Sequence, residues 1–291
     1  MRISRQELKR RVIEAYRKLK KCDLCPRNCG VNRLKGQKGI CGIGAKPVIS
    51  SFGLHFGEES VLVGRRGSGT VFFTGCSLKC VFCQNYTISQ LFEGEEISVR
   101  NLAKIFLYLQ NQGALNINLV TPTHVVPMIL QALYLTYDEL KIPIVYNTGG
   151  YDSVETLKLL DGIVDIYMPD IKYGSNEMAA KYSLCGNYWD VVRQAIKEMH
   201  RQVGDLKIVN GVAVKGLLIR HLILPNGLAE TRKVLEFLKN EISPQTHVNI
   251  MDQYYPAFKA YKYPELSRRI TRDEYFEAIE FAQKLGLKIV S

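Results

Sequence analysis

The chain has 291 residues, 46% of them hydrophobic and 23% charged, which is enough to bury a full core and excludes global disorder. No stretch approaches the ~18 uninterrupted apolar residues of a membrane span, and the start, "MRISRQELKRRVIEAYRKLKKC", has no apolar signal core, so a cytoplasmic location is expected. The formal charge of +11 gathers near the N-terminus, where Arg2, Arg5, Lys9, Arg10, Arg11, Arg17, Lys18, Lys20 and Lys21 precede the first cysteine; they read as the solvated face of a basic amphipathic helix rather than a nucleic-acid surface.

Residues 1–20 pattern as a helix, and residues 22–50, rich in Cys, Gly, Pro and Arg, read as a compact loop module with no periodicity. From about residue 69 strands and helices alternate. "TVFFTG" is a buried strand, "SVRNLAKIFLYLQNQG" a helix closed by Gly113, "NINLVTP" a strand and "HVVPMILQALYLTYDEL" a helix. "IPIVYNTGG" is the next strand, "DSVETLKLLDG" a helix with Asp152 or Ser153 as N-cap, and "VDIYMPDIKY" a strand. One long helical stretch is expected over roughly 176–203, then a hairpin turning at Asn210-Gly211. "LLIRHLILP" is a strand, "AETRKVLEFLKNE" a helix, "HVNIMDQYYP" a strand, and "TRDEYFEAIEFAQKLG" a helix opened by a capping box of Thr271 and Glu274; "LKIVS" closes the chain.

Strand–helix alternation repeated six times predicts a parallel sheet covered by helices, either a doubly wound open sheet or a closed or partly closed barrel. In each, functional groups gather at the C-terminal ends of the strands. Those ends read "TGC", "TPTH", "NTGGYD", "PDIKY", "LPNG" and "DQYYP", all of them unusual for a barrel core.

Eight cysteines are many for a reducing compartment, where clustered thiols bind metal or do chemistry more often than they pair. Seven lie before residue 84; Cys185 stands apart and reads as a small buried apolar residue. Cys76-x3-Cys80-x2-Cys83 sits on the loop leaving the first strand of the repeat. Thiolates suit iron–sulfur clusters, zinc or copper(I). A structural zinc or a closed four-iron cluster takes four protein ligands, so three leave a coordination position open for chemistry. A zinc loop with a distant fourth ligand is the alternative.

This CxxxCxxC segment, placed after the first strand of a (β/α) repeat, resembles the radical S-adenosylmethionine (SAM) superfamily. The resemblance implies a partial (β/α)6 barrel over residues 65–291, behind an N-terminal helix and Cys-rich module at 1–64. It further implies that Cys76, Cys80 and Cys83 hold a [4Fe-4S] cluster whose fourth iron is chelated by SAM, which is cleaved reductively to a 5′-deoxyadenosyl radical. Phe82 matches the aromatic position packing near the adenine. "MPDIKY" is similar to the Asp-x-Lys segment of glycyl-radical-enzyme activases, which implies that Asp170 meets a ribose hydroxyl or ammonium and Lys172 a carboxylate. "YNTGGY" makes Asn147 and Thr148 cofactor contacts by the same match. Many members carry a Gly-Gly-Glu-Pro segment after the second strand; this chain has Thr121-Pro122-Thr123-His124, so Thr121, with help from Asn118, is expected there instead. His124 and His221 are further active-site candidates, although a lone histidine is more often a hydrogen-bonded structural residue.

The earlier cluster, "CDLCPRNCGVNRLKGQKGICG", gives Cys22-x2-Cys25-x3-Cys29-x11-Cys41. Four thiols with no core of their own read as a second metal site: an iron–sulfur cluster able to relay electrons, or a structural zinc knuckle. Joined to "GSGTVFFTGCSLKCVFCQN", this module resembles the pyruvate formate-lyase activating enzyme homologues and the radical SAM proteins encoded beside AMMECR-type and Memo-type proteins, with "HFGEE", "NYTIS" and "MDQYYP" inside the match. Activases with a ferredoxin-like insert instead place their extra cysteines after the triad. The branch implies hydrogen abstraction from a glycyl radical enzyme, or from another protein or peptide, with flavodoxin or ferredoxin as reductant. RNA or a metabolite is an alternative substrate, and a zinc-stabilised nucleic-acid-binding protein an alternative class.

The remaining signals are local. "GRRGSG" at 64–69 precedes a strand and reads as a turn. His55, Glu58 and Glu59 are expected on a solvated loop. Gln253, Tyr254 and Tyr255 either line the substrate opening or pack its rim.

Overall fold

The computed structural model describes residues 3–290, so Arg2 and Ser291 lie outside it. Helix α1 (Arg5–Arg17) opens on Ser4, whose side chain accepts the Glu7 backbone N–H, and it buries Leu8 and Ala15. The four-cysteine segment that follows holds only two short 3-10 turns. Its interior is ordered by Arg33, which is 1% exposed and donates to the carbonyls of Gly44 at 2.7 Å and His124 at 2.8 Å.

The remaining elements follow in chain order: β1 (Val48–His55), α2 (Ser60–Val63), β2 (Ser68–Phe73), α3 (Tyr86–Ser89), β3 (Glu95–Glu96), α4 (Val99–Asn111), β4 (Ile117–Val120) and α5 (Val126–Leu135). Then come β5 (Ile144–Thr148), α6 (Val154–Lys158), β6 (Ile166–Pro169), α7 (Asn176–Ser183), α8 (Tyr188–Val203), β7 (Lys207–Val209) and β8 (Val212–Leu222). The chain ends with α9 (Thr231–Phe237), β9 (His247–Met251), α10 (Arg272–Lys284) and β10 (Lys288–Ile289).

One sheet runs β3-β1-β2-β4-β5-β6-β8-β9-β10, with β7 on the edge of β8. Pairing is parallel from β2 to β10, while β1 joins β2 antiparallel. Among the described residues neither β9 nor β10 pairs with β2, so β2, β4, β5, β6, β8 and β9 with their helices form a partial (β/α)6 barrel that stays open, with β10 as a seventh parallel strand on its edge. Strands β4, β5 and β6 are buried at every position, as parallel strands covered on both faces must be. The lower barrel is filled by Leu62 from α2 against Val145, Ile166, Met168, Leu206, Ala213 and Leu218. That apolar floor leaves the C-terminal ends of the strands as the place for polar chemistry. Among the described residues no helix is long and apolar enough to cross a membrane.

Several local expectations hold. Asn210 and Gly211 both take left-handed backbone, at φ 52° and 78°, as a two-residue hairpin turn requires. Thr271 and Glu274 form the capping box of α10.

Others are corrected. The stretch 176–203 is two helices, because Leu184 turns left-handed at φ 50°. The carbonyls of Tyr182 and Ser183 are taken there by the N–H groups of Val81 and Lys79, a tertiary demand that overrides the helical period. Ser153 is the N-cap position of α6 but makes no capping bond, and Asp152 turns into the core. Residues 48–55, expected without regular structure at their start, form β1 and tie the N-terminal module to the barrel sheet.

Candidate active site

β2 gives way to the triad loop at Gly75, which lies at φ 84°; a Cβ there would come within 2.3 Å of the Cys41 carbonyl oxygen. Only glycine combines that backbone with so close an approach. Backbone bonds fix the loop from several sides: Gly75 N–H to Ile88 O at 2.9 Å, Lys79 N–H to Ser183 O at 3.2 Å and Val81 N–H to Tyr182 O at 2.8 Å. The Ser183 hydroxyl donates to Cys80 Sγ at 2.9 Å, and Ser89 Oγ lies 3.1 Å from Cys83 Sγ.

The loop walls a cavity of about 230 Å³ at the strand ends. Cys76, Cys80 and Cys83 line it, together with the side chains expected to meet a cofactor apart from Asn118: Phe82, Thr121, Asn147, Thr148, Asp170 and Lys172. Gln253 also lines it; Tyr254 is fully buried and donates to Leu266 O at 2.7 Å, while Tyr255 is exposed at the rim. Thr121 is held left-handed at φ 59°, costly for a β-branched residue, with its N–H on Asn147 O at 2.8 Å. Asn118, by contrast, sits below the cavity lining in β4, fully buried with neither amide atom partnered.

Arg220 organises the charge. Its guanidinium donates to Asp170 at 2.7 Å, to Asn147 Oδ1 at 2.8 Å and to Glu58 at 3.4 Å. Lys172 Nζ holds the other Asp170 oxygen at 2.7 Å. Burial pushes the Asp170 carboxyl up, but Arg220 and Lys172 outweigh it and keep the group below the ordinary carboxylate range. Burial likewise works against the Lys172 ammonium, and Asp170 and then Cys80 hold the proton on. Sequence reasoning missed Arg220; its one signal is a charge inside the apolar run "LLIRHLI", where a buried cation needs partners.

Glu58 and Glu59 are corrected from a solvated loop: Glu59 is buried, and Glu58 is half-buried with its side chain turned inward. Packing of α2 into the barrel floor draws them inward, where Glu58 faces Arg220 and Glu59 accepts from Asn249 at 3.0 Å. His55 stays half-buried, edge-on to Phe72 at 5.9 Å.

The two histidines do structural work. Burial lowers His124 to about 3, so the ring is neutral and its Nε2–H donates to Thr74 O at 2.8 Å, pinning the end of β2. His221 is likewise lowered to about 4 by burial, and both ring nitrogens are bonded, to Ile171 O at 2.6 Å and Thr231 Oγ1 at 2.9 Å. Behind the cavity, Asp152 accepts from Thr148 at 2.6 Å, Thr123 at 2.7 Å and Tyr146 at 2.9 Å. Those bonds aim the Thr148 hydroxyl.

Of the N-terminal cysteines, Cys22, Cys25 and Cys41 are buried and Cys29 is half-buried. Burial pushes Cys25 up to about 12, with the other three sulfurs adding to it, so all three lie within electrostatic reach of Cys25. Cys76 rises to about 12 and Cys80 to about 11 by burial in the same way. Buried thiols this crowded are poor thiolates alone, and a bound metal would supply the missing positive charge. Among the described residues no three His, Cys, Asp or Glu side chains converge as ligands of a single ion would. A cluster asks for a different arrangement, one cysteine per iron at separate corners. The two modules touch through Arg27, which donates to Ser77 O at 2.8 Å and Ser183 O at 3.3 Å.

A family model described as the radical SAM superfamily matches residues 70–220, from β2 through the triad to Arg220. The chain belongs to the radical SAM superfamily. It is 37% identical over 281 residues to an uncharacterized protein of Methanocaldococcus jannaschii, covering 93% of this chain and 77% of that one. A second uncharacterized protein of the same organism is 22% identical over 294 residues, covering 92% and 78%.

The fold is shared with a radical SAM methyltransferase from Sphaerobacter thermophilus, at TM-score 0.50 and 13% identity over 76% of this chain and 65% of that one. Streptococcus suis SuiB, bound to precursor peptide SuiA, matches at TM-score 0.51 and 12% identity over 74% and 46%. The FeFe-hydrogenase maturase HydG from Carboxydothermus hydrogenoformans matches at TM-score 0.51 and 15% identity over 73% and 49%. This radical SAM chain thus spans less than two thirds of each of these solved structures, and the likeness is one of fold. Membership implies a [4Fe-4S] cluster and SAM, and three thiols on a cavity that also offers a carboxylate, an ammonium and a guanidinium fit that pair.

Proposed function

We propose that Cys76, Cys80 and Cys83 hold the cluster, and that Phe82, Thr121, Asn147, Thr148, Asp170 and Lys172 hold SAM on its open iron. The observation carrying this reading is that all nine side chains line one cavity, although they come from four strand ends spread over about a hundred residues. When bound, the pair supplies a 5′-deoxyadenosyl radical for hydrogen abstraction. Asp170 and Lys172 present opposite charges to a zwitterionic ligand, and Arg220 keeps Asp170 ionised for that task. Phe82, 4% exposed and packed edge-on against Tyr173 and Tyr254, offers a fixed apolar ring to an adenine.

The Asp170-x-Lys172 segment supports activation of a glycyl radical enzyme as the role, in the cytoplasm, with flavodoxin or ferredoxin as reductant. Modification of a peptide is the second reading, favoured by the shared fold with SuiB, a protein solved with its precursor peptide. The N-terminal quartet of Cys22, Cys25, Cys29 and Cys41 is proposed as a second iron–sulfur site beside the first, the contact of Gly75 with Cys41 supporting their closeness.

Anaerobic reconstitution tests the reading. Iron and sulfide should bind, and reduced protein should convert SAM to 5′-deoxyadenosine. If Cys76→Ala retained full cleavage, the assignment of the triad would be wrong.

A further inference from the structure

The break between α7 and α8 lies directly against the triad loop. Ser183, the last residue of α7, is fully buried, and its hydroxyl donates to Cys80 Sγ at 2.9 Å. The same oxygen lies 2.7 Å from the Tyr173 hydroxyl. A ligating thiolate only accepts, so the single Ser183 proton goes to sulfur and Tyr173 must donate to Ser183. The result is a directed chain, Tyr173 to Ser183 to Cys80. Ser89 Oγ lies 3.1 Å from Cys83 Sγ, with no second side-chain partner among the described residues.

The backbone of Ser183 is clamped as well. Its carbonyl accepts the Lys79 N–H of the triad loop and a guanidinium N–H of Arg27, which lies between Cys25 and Cys29. Arg27 also donates to Leu184 O at the break and to Ser77 O in the triad loop, and it covers the Tyr151 ring at 5.6 Å. One side chain of the N-terminal module therefore ties Ser183 to the triad loop that carries Cys80.

Resting on the proposed cluster, we infer that Ser183 is a positioning residue that raises the reduction potential of the triad cluster, and that Arg27 keeps it aimed. Reduction adds negative charge to the cluster, and a donor aimed at a ligand sulfur stabilises the reduced form more than the oxidised one. Burial leaves that difference unscreened by water.

The test is a redox titration of the full chain, reconstituted without oxygen and without SAM, followed by the electron paramagnetic resonance of the reduced cluster. The signal lost in Cys80→Ala identifies the triad cluster. At the wild-type midpoint potential, Ser183→Ala should lower the reduced-to-oxidised ratio about tenfold, equal to 59 mV for one electron. Ser183→Thr should restore it to within about twofold, and Arg27→Ala should shift it in the same direction as Ser183→Ala by roughly threefold. Ser183→Ala with full iron and an unchanged ratio overturns the inference, as does a Ser183→Thr ratio equal to that of Ser183→Ala. Should Ser183→Ala fail to load iron, Tyr173→Phe is read in its place: a lowered ratio supports the inference and an unchanged one overturns it. A wild-type chain that binds no iron at the triad refutes the proposed function itself, whereas a loaded cluster indifferent to Ser183 refutes only this inference.

Discussion

Arg220→Met removes a guanidinium while keeping an apolar chain of similar reach. Three acceptors lose a donor: Asp170 at 2.7 Å, Asn147 at 2.8 Å and Glu58 at 3.4 Å. The side chains of Arg220, Asp170 and Glu58 are only 18%, 16% and 8% exposed, so water repairs little of the loss. Removing one partner from a buried ion pair costs about 3–5 kcal/mol. Asp170 keeps Lys172 at 2.7 Å, which places the expected cost at the lower end, about 3 kcal/mol. For a chain of this size roughly 2 °C of Tm accompanies each kcal/mol, so a fall of about 6 °C is expected in thermal unfolding followed by circular dichroism.

The pH dependence carries a sign. Burial already pushes the Glu58 carboxyl up, opposed by Arg220, and without Arg220 the folded state binds that proton still more tightly. A group whose folded pKa is raised favours folding while protonated and loses that advantage as pH rises through it, so the deficit of Arg220→Met should shrink on acidification. Adding Glu58→Gln should recover part of the loss at neutral pH. A loss below about 1 kcal/mol, or one indifferent to both pH and Glu58→Gln, would refute the buried-network reasoning.

Further outcomes follow from other contacts. Gly75→Ala should disorder the triad loop and cut iron loading sharply, since its Cβ would meet the Cys41 carbonyl at 2.3 Å; normal iron content would contradict the close approach. Leu62→Ala should cost about 3 kcal/mol in denaturant unfolding, because Leu62 is fully buried in the barrel floor, and a loss below about 1 kcal/mol would place α2 outside it. Asp152→Ala leaves Thr148, Thr123 and Tyr146 without their acceptor and should destabilise the fold by about 2 kcal/mol while weakening SAM binding measured by calorimetry. Cys25→Ser should lower bound iron without abolishing the triad signal; loss of zinc at constant iron would identify the quartet as a zinc knuckle.

The sequence made the triad legible because its three cysteines sit within eight positions and follow an apolar run that is a strand. The strand ends were legible through texture, since Asn147, Thr148, Asp170 and Lys172 interrupt runs that parallel strands keep apolar. Arg220 was not, because its partners lie 50, 73 and 162 residues away in sequence. Glu58 looked like any loop carboxylate until the packing of α2 drew it inward. Ser183 was hidden inside an expected single helix; α7 ends there on a left-handed Leu184 and the Cys185 N–H closing on Ala179 O, with the triad loop taking two of the freed carbonyls. Long-range contacts, not local propensity, decided each of these positions.

Held by Cys76, Cys80 and Cys83, the proposed cluster would leave one iron open for SAM. The direct measurement is the electron paramagnetic resonance spectrum of the reduced, reconstituted chain before and after SAM is added. SAM should change the signal lost in Cys80→Ala and leave any signal lost in Cys25→Ser unchanged. A loaded triad cluster whose spectrum ignores saturating SAM would contradict that assignment.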